Sequence, residues 1–456
     1  MNNEQLIQNG SIGKLLVRLS IPAVVITMIT VLYNFVDIFF MGQTGETLQV
    51  AAISLVSPAF SCISALGTLL GMGGCTAIAI ALGQGHREKV KLYSSFCFWA
   101  SLGVGLALMG AGNLLMDPLV RLLGADQETA PYAQAYLRIL SLGAPVLMLS
   151  NVLANILRAD GSVKPSMISS LLGTGTNVLL DPLLILSLNG GIRGAAVATL
   201  LGNVVSALYL TLAMGKKKGF SRSLRDFSAK PQVSWKVIRL GLPMAAGTLL
   251  MSFSHMFGNN LRMSYGSHVA AANGVASMAG TVVTLVSMGM CMGIQPALSY
   301  AFGAGNHRRM DRIVRGTGLA TVLTGLVLSA LFLLFRDSWL PGFLADPQVV
   351  AMEKRMLWGV LCAAPFFGLY QVSSCYLQST GNVGAATFVS LLRQGILYIP
   401  ALYGMNLLGG LTGLIFAGAV SDLLSTGLAV LLGLARRRNM AREEEAVPCL
   451  PDLEKP

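Results

Sequence analysis

Charge is what this sequence has least of. Of its 456 residues only 11% are Asp, Glu, Lys or Arg, where soluble domains carry about a quarter. With 54% hydrophobic residues, a water-soluble fold would expose far too much apolar surface, so that class is excluded. Histidine numbers four, and neither a His/Asp metal cluster at helical spacing nor a nucleophile–base pair is present, which leaves a membrane-embedded enzyme without machinery. No Gly-rich loop ending in Lys-Ser/Thr occurs, so ATP hydrolysis by this chain is not expected. The seven cysteines (62, 75, 97, 291, 362, 375 and 449) make no Cys-x-x-Cys pair, and six lie in apolar runs. They read as small packing residues rather than disulfides or metal ligands. The formal charge of +12 comes without a basic face and aromatic platforms, so nucleic acid is not the partner.

What is abundant is apolar sequence, together with 51 Gly and 22 Met, and glycine is commoner in membrane helices than in soluble ones. A helix crosses about 30 Å of hydrocarbon with roughly 20 apolar residues. Runs of that kind cover 17–41, 52–82, 93–115, 132–157, 166–188 and 194–214, then 238–261, 274–300, 316–335, 356–377, 385–407 and 412–434. The first run is too long for a signal peptide and lacks a small-residue cleavage site. The expected fold is an all-α polytopic membrane protein with about twelve transmembrane helices.

Basic residues gather in cytoplasmic loops of such proteins. Here Lys14 and Arg18 precede the first run, and Arg87, Lys89 and Lys91 follow the second. Arg158 and Lys164 follow the fourth, and the long middle loop holds Lys216, Lys217, Lys218, Arg222, Arg225 and Lys230. Arg308, Arg309, Arg312 and Arg315 follow the eighth run; Arg436, Arg437, Arg438 and Arg442 follow the last. The alternate loops are poor in basic residues or mixed. Every basic cluster therefore falls on one side, which predicts a multi-pass protein of the cell (inner) membrane with both termini cytoplasmic.

The two halves repeat each other. Ala125-Asp126 recurs as Ala345-Asp346 and Pro145 as Pro365, both 220 residues on. Arg158-Ala-Asp-Gly161 aligns with Gln378-Ser-Thr-Gly381, and Ala81-Leu-Gly-Gln-Gly85 with Ala301-Phe-Gly-Ala-Gly305. Gly190-Gly-Ile-Arg-Gly194 aligns with Gly409-Gly-Leu-Thr-Gly413 one residue short, and Pro22 with Pro243 one residue over. Six helices per repeat keep both halves in the same orientation. Such parallel repeats pack about an axis along the membrane normal, with a cavity between them. The expected organisation is a six-helix lobe over 1–215, a cytoplasmic linker over 216–236, a second six-helix lobe over 237–436 and a cytoplasmic tail over 437–456.

Ionisable side chains at membrane depth cost at least ~2.5 kcal/mol each, and four stand out: Asp37, Asp181, Arg393 and Asp422. Asp37 lies four residues after Tyr33, and Asp181 four after Asn177, so each pair shares a helix face. Pro182 follows directly and frees a backbone carbonyl. Oxygens of this kind suit a hard cation, and a buried carboxylate suits a proton. Asp422 and Arg393 either neutralise each other or line a substrate path. His255 reads first as an intramembrane hydrogen-bonding group. Gly67, Gly71, Gly73 and Gly74 read as close helix contacts.

At these residues the chain resembles the multidrug and toxic compound extrusion transporters. Leu19-Ser-Ile-Pro22 with Val36-Asp37-Ile-Phe-Phe-Met-Gly42, the Gly83-Gln84-Gly85 turn and the Arg158-Ala159-Asp160-Gly161 turn carry the likeness. It extends from Pro22 to about Arg436 and lies in the joint spacing more than in any one motif. The resemblance is to the prokaryotic branch whose cation site lies in the N-terminal half. It implies a cation-coupling set of Tyr33, Asp37, Asn177, Asp181 and Thr199, with Pro22 as the point where the first helix bends. Possible Na⁺ ligation falls to Asp37, Asn177 and Asp181. Another branch uses acids on helices seven and ten. Here helix seven offers His255, Asn259 and Asn260 instead, and helix ten has no acid, which speaks against a C-half site.

The function so implied is secondary antiport: export of organic, cationic or amphipathic compounds in exchange for H⁺ or Na⁺. His255, Asn259, Arg393 and Asp422 are the weaker substrate-path candidates. No cofactor is expected beyond the coupling cation; the partners are drug-like small molecules and the bilayer, and a monomer is expected. The nearest rival, a lipid-linked-oligosaccharide flippase of the same wider superfamily, would line its cavity with basic residues, and only Arg262 and Arg393 offer themselves. A passive channel is disfavoured by the repeat with buried acids. The topology is checkable in a cysteine-free background: single cysteines at Gln43 or Gln348 should label from outside, and at Lys217 or His307 should not. Equal labelling at all four positions would overturn the orientation.

Overall fold

With no water in hydrocarbon to take unpaired amides, an apolar chain must satisfy its backbone internally, and helices do so within one segment. The computed structural model describes residues 3–43, 46–217, 219–339 and 347–446, and these form helices and turns only. The first half contains α1 (Asn3–Asn9), α2 (Ile12–Gln43), α3 (Thr47–Gly83), α4 (Arg87–Leu114), α5 (Met116–Leu122), α6 (Ala130–Ile156), α7 (Lys164–Asp181) and α8 (Gly191–Gly215). The second contains α9 (Pro231–Met263), α10 (Ser267–Gly303), α11 (His307–Leu334), α12 (Arg336–Trp339), α13 (Pro347–Leu361), α14 (Ala364–Ser379), α15 (Val383–Leu391) and α16 (Tyr398–Ala446). A π-helical turn follows α7 at Pro182–Ser187 and another follows α15 at Leu392–Ile396.

Eleven stretches of the described residues are long and apolar enough to cross a membrane. The last of them runs over 61 residues, 383–443, which would be about 90 Å of helix and three times a bilayer core. It is two crossings. Gly410 at φ 54°, ψ −136° breaks α16, a conformation that a Cβ would oppose. Twelve crossings result. The tenth is itself divided, at Cys362–Ala363 between α13 and α14. The helices extend past the apolar runs: α2 begins at Ile12, α9 at Pro231 and α13 at Pro347.

The repeat is visible in the geometry. Gly85 and Gly305 take φ of 74° and 67°, and Gly161 and Gly381 take 77° and 71°. A Cβ on Gly105 would lie 2.4 Å from Pro145 Cα, and one on Gly325 would lie 2.7 Å from Pro365 Cα. Each half therefore seats a glycine of its third crossing on the proline of its fourth.

The halves meet along a seam of such approaches, at the end of the molecule where the basic loops gather. A Cβ on Gly83 would fall 2.2 Å from Tyr300 O, and one on its repeat counterpart Gly303 2.2 Å from Ile80 O. Gly73 faces Val237 O, Gly241 faces Leu69 O, and Gly293 faces Leu19 O, each at 2.5 Å or less. Of the four glycines expected as helix contacts, Gly73 thus serves the seam, Gly74 meets Cys97 and Ile156 within the first half, and Gly67 and Gly71 leave room for Asn151 and Asn155. A buried polar network ties the same region. Gln295 donates to Gln378 Oε1 at 2.8 Å and to Thr76 Oγ1 at 3.3 Å, and Gln378 donates to Leu240 O at 2.5 Å. Across the basic end, buried Arg309 of α11 donates to Leu6 O at 3.0 Å and Gly10 O at 2.9 Å, and also to Ile7 O. It thereby caps the carbonyl end of α1, which α-helices leave unsatisfied.

Not all basic residues at this end are solvated. Lys217 Nζ binds Asp160 Oδ1 and Oδ2 at 2.6 and 2.7 Å and Leu157 O at 2.8 Å. Burial pushes its ammonium below the ordinary range, against the pull of Asp160. Arg158, expected in a loop, is only 5% exposed.

The seam predicts a contrast between two glycines. Gly83→Ala should cost about 1–3 kcal/mol, as overpacking does, and lower the melting temperature of the purified protein. Gly103→Ala, where a Cβ meets nothing within 4 Å, should not. Equal melting of both variants would show that the seam tolerates separation.

Candidate cation and substrate site

Polar side chains in the first half converge on one space. A cavity of about 620 Å³ is lined by α2, α3, α6, α7 and α8 of the first half, with Met244 and Thr248 of α9 and Leu285, Met288 and Met292 of α10 closing it from the second. The long faces of α6 and α7 supply its polarity through short residues: Ser150, Asn151 and Asn155 on α6, and Ser166, Ser170, Thr174 and Asn177 on α7. The methionines supply adaptable apolar contact. This combination suits an organic molecule with an apolar body and a few polar groups.

Against this space stand three of the five residues expected from the sequence: Asn177, Asp181 and Thr199. Asn177 and Thr199 line the cavity, and Asp181, one turn beyond Asn177, is 0% exposed. The Asn177 side chain donates to the Asp181 carboxylate. With its amide turned to satisfy both ends, the donor distance to Oδ2 is 3.0 Å and the amide oxygen accepts from the Thr199 N–H at 3.2 Å. The chain folds this way locally because α7 ends at Asp181, where Pro182 cannot donate to the preceding turn and the backbone passes into the π turn. Gly173 and Gly202 let α7 and α8 come close, since a Cβ on Gly202 would lie 2.5 Å from Gly173 O. The side chains of Tyr33, Asp37 and His255 lie outside the described residues. Their helices α2 and α9 are described, and α2 passes Pro22 without interruption. Among the described residues no three His, Cys, Asp or Glu side chains are grouped to hold a metal ion. Carboxylate, amide and hydroxyl oxygens remain the donors near Asp181, a set suited to a hard monovalent cation or a proton.

The MatE family model matches residues 22–183 and again 243–403, two copies offset like the repeats. The chain belongs to this family. The multidrug export protein MepA of Staphylococcus aureus is 30% identical over 437 residues, 95% of this chain and 96% of that protein. A solved MATE structure in the straight conformation superposes with a TM-score of 0.90 at 25% identity, covering 97% of this chain and 99% of that one. So does an outward-facing structure of a multidrug resistance MATE family transporter, with TM-score 0.90, 25% identity and the same coverage. The chain is a MATE-type membrane transporter and not an enzyme.

One expectation changes within this MATE scaffold, and one pair left open by the sequence is found in contact. Helix ten does carry an acid: α13 starts nine residues ahead of the apolar run and brings in Glu353, which is 0% exposed, with no hydrogen-bond partner for either carboxylate oxygen among the described residues. Glu353-Lys354-Arg355, three charges in a row just ahead of an apolar run, look like a loop, so only the helix start reveals the acid. Arg393 and Asp422 form an ion pair at 2.8 Å, and the guanidinium sits 4.5 Å from the Phe367 ring centroid and 5.2 Å from that of Tyr370. They do not line the cavity, nor does Asn259, which is exposed. Mutual neutralisation is the arrangement found.

Removing one member of that pair leaves a charge unpaired. Arg393→Met should lower stability by about 3 kcal/mol, and adding Asp422→Asn should restore part of it. A thermal-melt double-mutant cycle reads the coupling, and strictly additive losses would contradict the pairing.

Proposed function

We propose that this transporter is a secondary antiporter exporting amphipathic organic compounds, drugs among them, in exchange for H⁺ or Na⁺. The observation that carries the reading is the adjacency of Asp181, Asn177 and Thr199 to a methionine-bearing cavity large enough for a drug-sized molecule. The likeness to MepA, a multidrug export protein, supports the substrate class. Tyr33 and Asp37 complete the coupling set on α2. The basic end faces the cytoplasm, and the seam closes that side while the cavity serves the other.

Cation and substrate then compete for alternative conformations of the first lobe (1–215). Cation binding at Asp37 and Asp181 favours a bent α2, with the bend at Pro22; this shrinks the cavity and drives the substrate outward. A ligand shifts such an equilibrium only by its differential affinity for the two states, so removing the acids should uncouple transport. Both ions can load the site, and H⁺ is the driver we favour, because a site that unites the Asp37 and Asp181 carboxylates in low dielectric would share a proton between them. The flippase alternative lacks a cavity rich in basic side chains: among the described lining residues Arg158 is the one charge.

Asp37→Asn and Asp181→Asn should each abolish gradient-driven efflux from inverted vesicles while leaving the protein folded in detergent. If both retain ion-dependent efflux, the coupling site lies elsewhere. Glu353 is then the acid to test by Glu353→Gln, in preference to Asp422, whose charge is already paired. For the ion, a pH gradient at zero Na⁺ should drive more export than an Na⁺ gradient at clamped pH. Full export with sodium alone and none with protons would reverse that assignment.

A further inference from the structure

The two halves differ at one repeat position that faces the cavity. Gln378 and Arg158 occupy equivalent places at the ends of the fourth and tenth crossings, each opening a four-residue turn closed by a positive-φ glycine. In the second half the position is satisfied by neutral partners: Gln378 accepts from Gln295 and donates to Leu240 O. In the first half it is a guanidinium, 5% exposed, whose Nη2 reaches the Asn155 amide oxygen and lies 4.0 Å from Met72 Sδ. Its Nε has no hydrogen-bond partner among the described residues. The neighbouring acid, Asp160, is taken by Lys217. Arg158 itself lines the cavity.

A buried cation without a carboxylate partner is costly, whereas a glutamine in its place satisfies the sister half. Arginine keeps its charge in a protein interior and presents a planar fork of donors that fits a carboxylate. The polar surface leading away from it fits the same reading. Asn155 and Asn151 are ordered into a ladder, with Asn155 donating to Asn151 O at 2.8 Å and to its side-chain oxygen at 3.0 Å. That ladder fixes the Asn155 oxygen that holds Arg158. From Ser166, near Arg158, to Asn177 the α7 wall runs about 16 Å, so an organic body can span from the guanidinium to the cation site.

We propose that Arg158 is the receptor for an anionic oxygen group, a carboxylate in the first instance, on the exported compound. Deepening the export reading on which it rests, this assigns the cavity to zwitterionic or acidic amphiphiles. They bind with the acid at the basic end and the apolar body along Met244, Met288 and Met292. Purely cationic compounds use the cavity without this contact.

The test uses a matched pair of dyes, rhodamine 110, which carries a free carboxylate, and rhodamine 123, its methyl ester. Binding to the purified full-length protein is read by fluorescence anisotropy. Wild type should bind the acid more tightly than the ester. Arg158→Gln, the residue of the sister half, should weaken the acid about tenfold, the loss of one hydrogen bond between charged groups, and leave the ester unchanged. Arg158→Lys should fall between. Equal weakening of both dyes, or a wild type that prefers the ester, overturns the proposal while leaving export intact; the wild-type comparison stands even where Arg158→Gln does not fold. A wild type that binds neither dye overturns the export reading and this proposal with it.

Discussion

Two six-helix halves can be held together in lipid only by close packing, because lipid tails give helices no hydrophobic reason to associate. In this chain the packing is a line of glycines. Gly83 and Gly303 face each other's preceding turn with carbonyl oxygens where side chains would be, and Gly73, Gly241 and Gly293 extend the line on either side. Because Gly83 and Gly303 are 220 residues apart, the contact lies on the symmetry axis of the repeat. A seam made of backbone contacts is either closed or open, with little between, since packed interfaces do not deform continuously. The Gln295–Gln378–Thr76 network and the Arg309 cap on α1 add directional bonds that are lost together when the seam parts. The cavity and its polar walls derive their closed end from this line.

Symmetry built the scaffold, and departures from it carry the chemistry. The first half places an acid, an amide and a threonine at its cavity; at the corresponding turn the second half replaces a guanidinium with a glutamine bound into the seam. Its own charges, Arg393 and Asp422, neutralise each other beneath two aromatic rings. Glu353 is the exception, a buried acid near the head of the tenth crossing. The cavity's polar walls thus come from the first half, and the second half contributes mainly its apolar side, Met244, Leu285, Met288 and Met292.

Much of this was legible in the sequence because membrane physics is coarse. Run length gives the number of crossings, the matched turns give the repeat, and the cost of a charge in lipid singles out Asp181 and its i−4 partner Asn177. The family resemblance added Thr199, which is 22 residues away in sequence and could not be paired by periodicity. What stayed hidden depends on helix ends and on burial. Arg158 and Lys217 read as loop charges because both sit just past apolar runs, yet the chain folds the turn inward, burying Arg158 and half-burying Lys217 against Asp160. Glu353 was missed for the converse reason, since α13 begins before its apolar run does. The reciprocal glycine contacts required knowing which helices cross. Spacing alone marked Gly73 as a contact but could not name Val237 as its neighbour.

The proposed antiport requires the seam at the basic end to part in one state and the far end of the molecule to close with it. Spin-label distances across both ends of a single preparation test it most directly: Leu122 to Leu407 at one end and Lys89 to Arg312 at the basic end. Adding substrate or changing the cation should shorten one distance and lengthen the other. Distances that hold still at both ends during active transport, or that move in the same sense, would contradict the account.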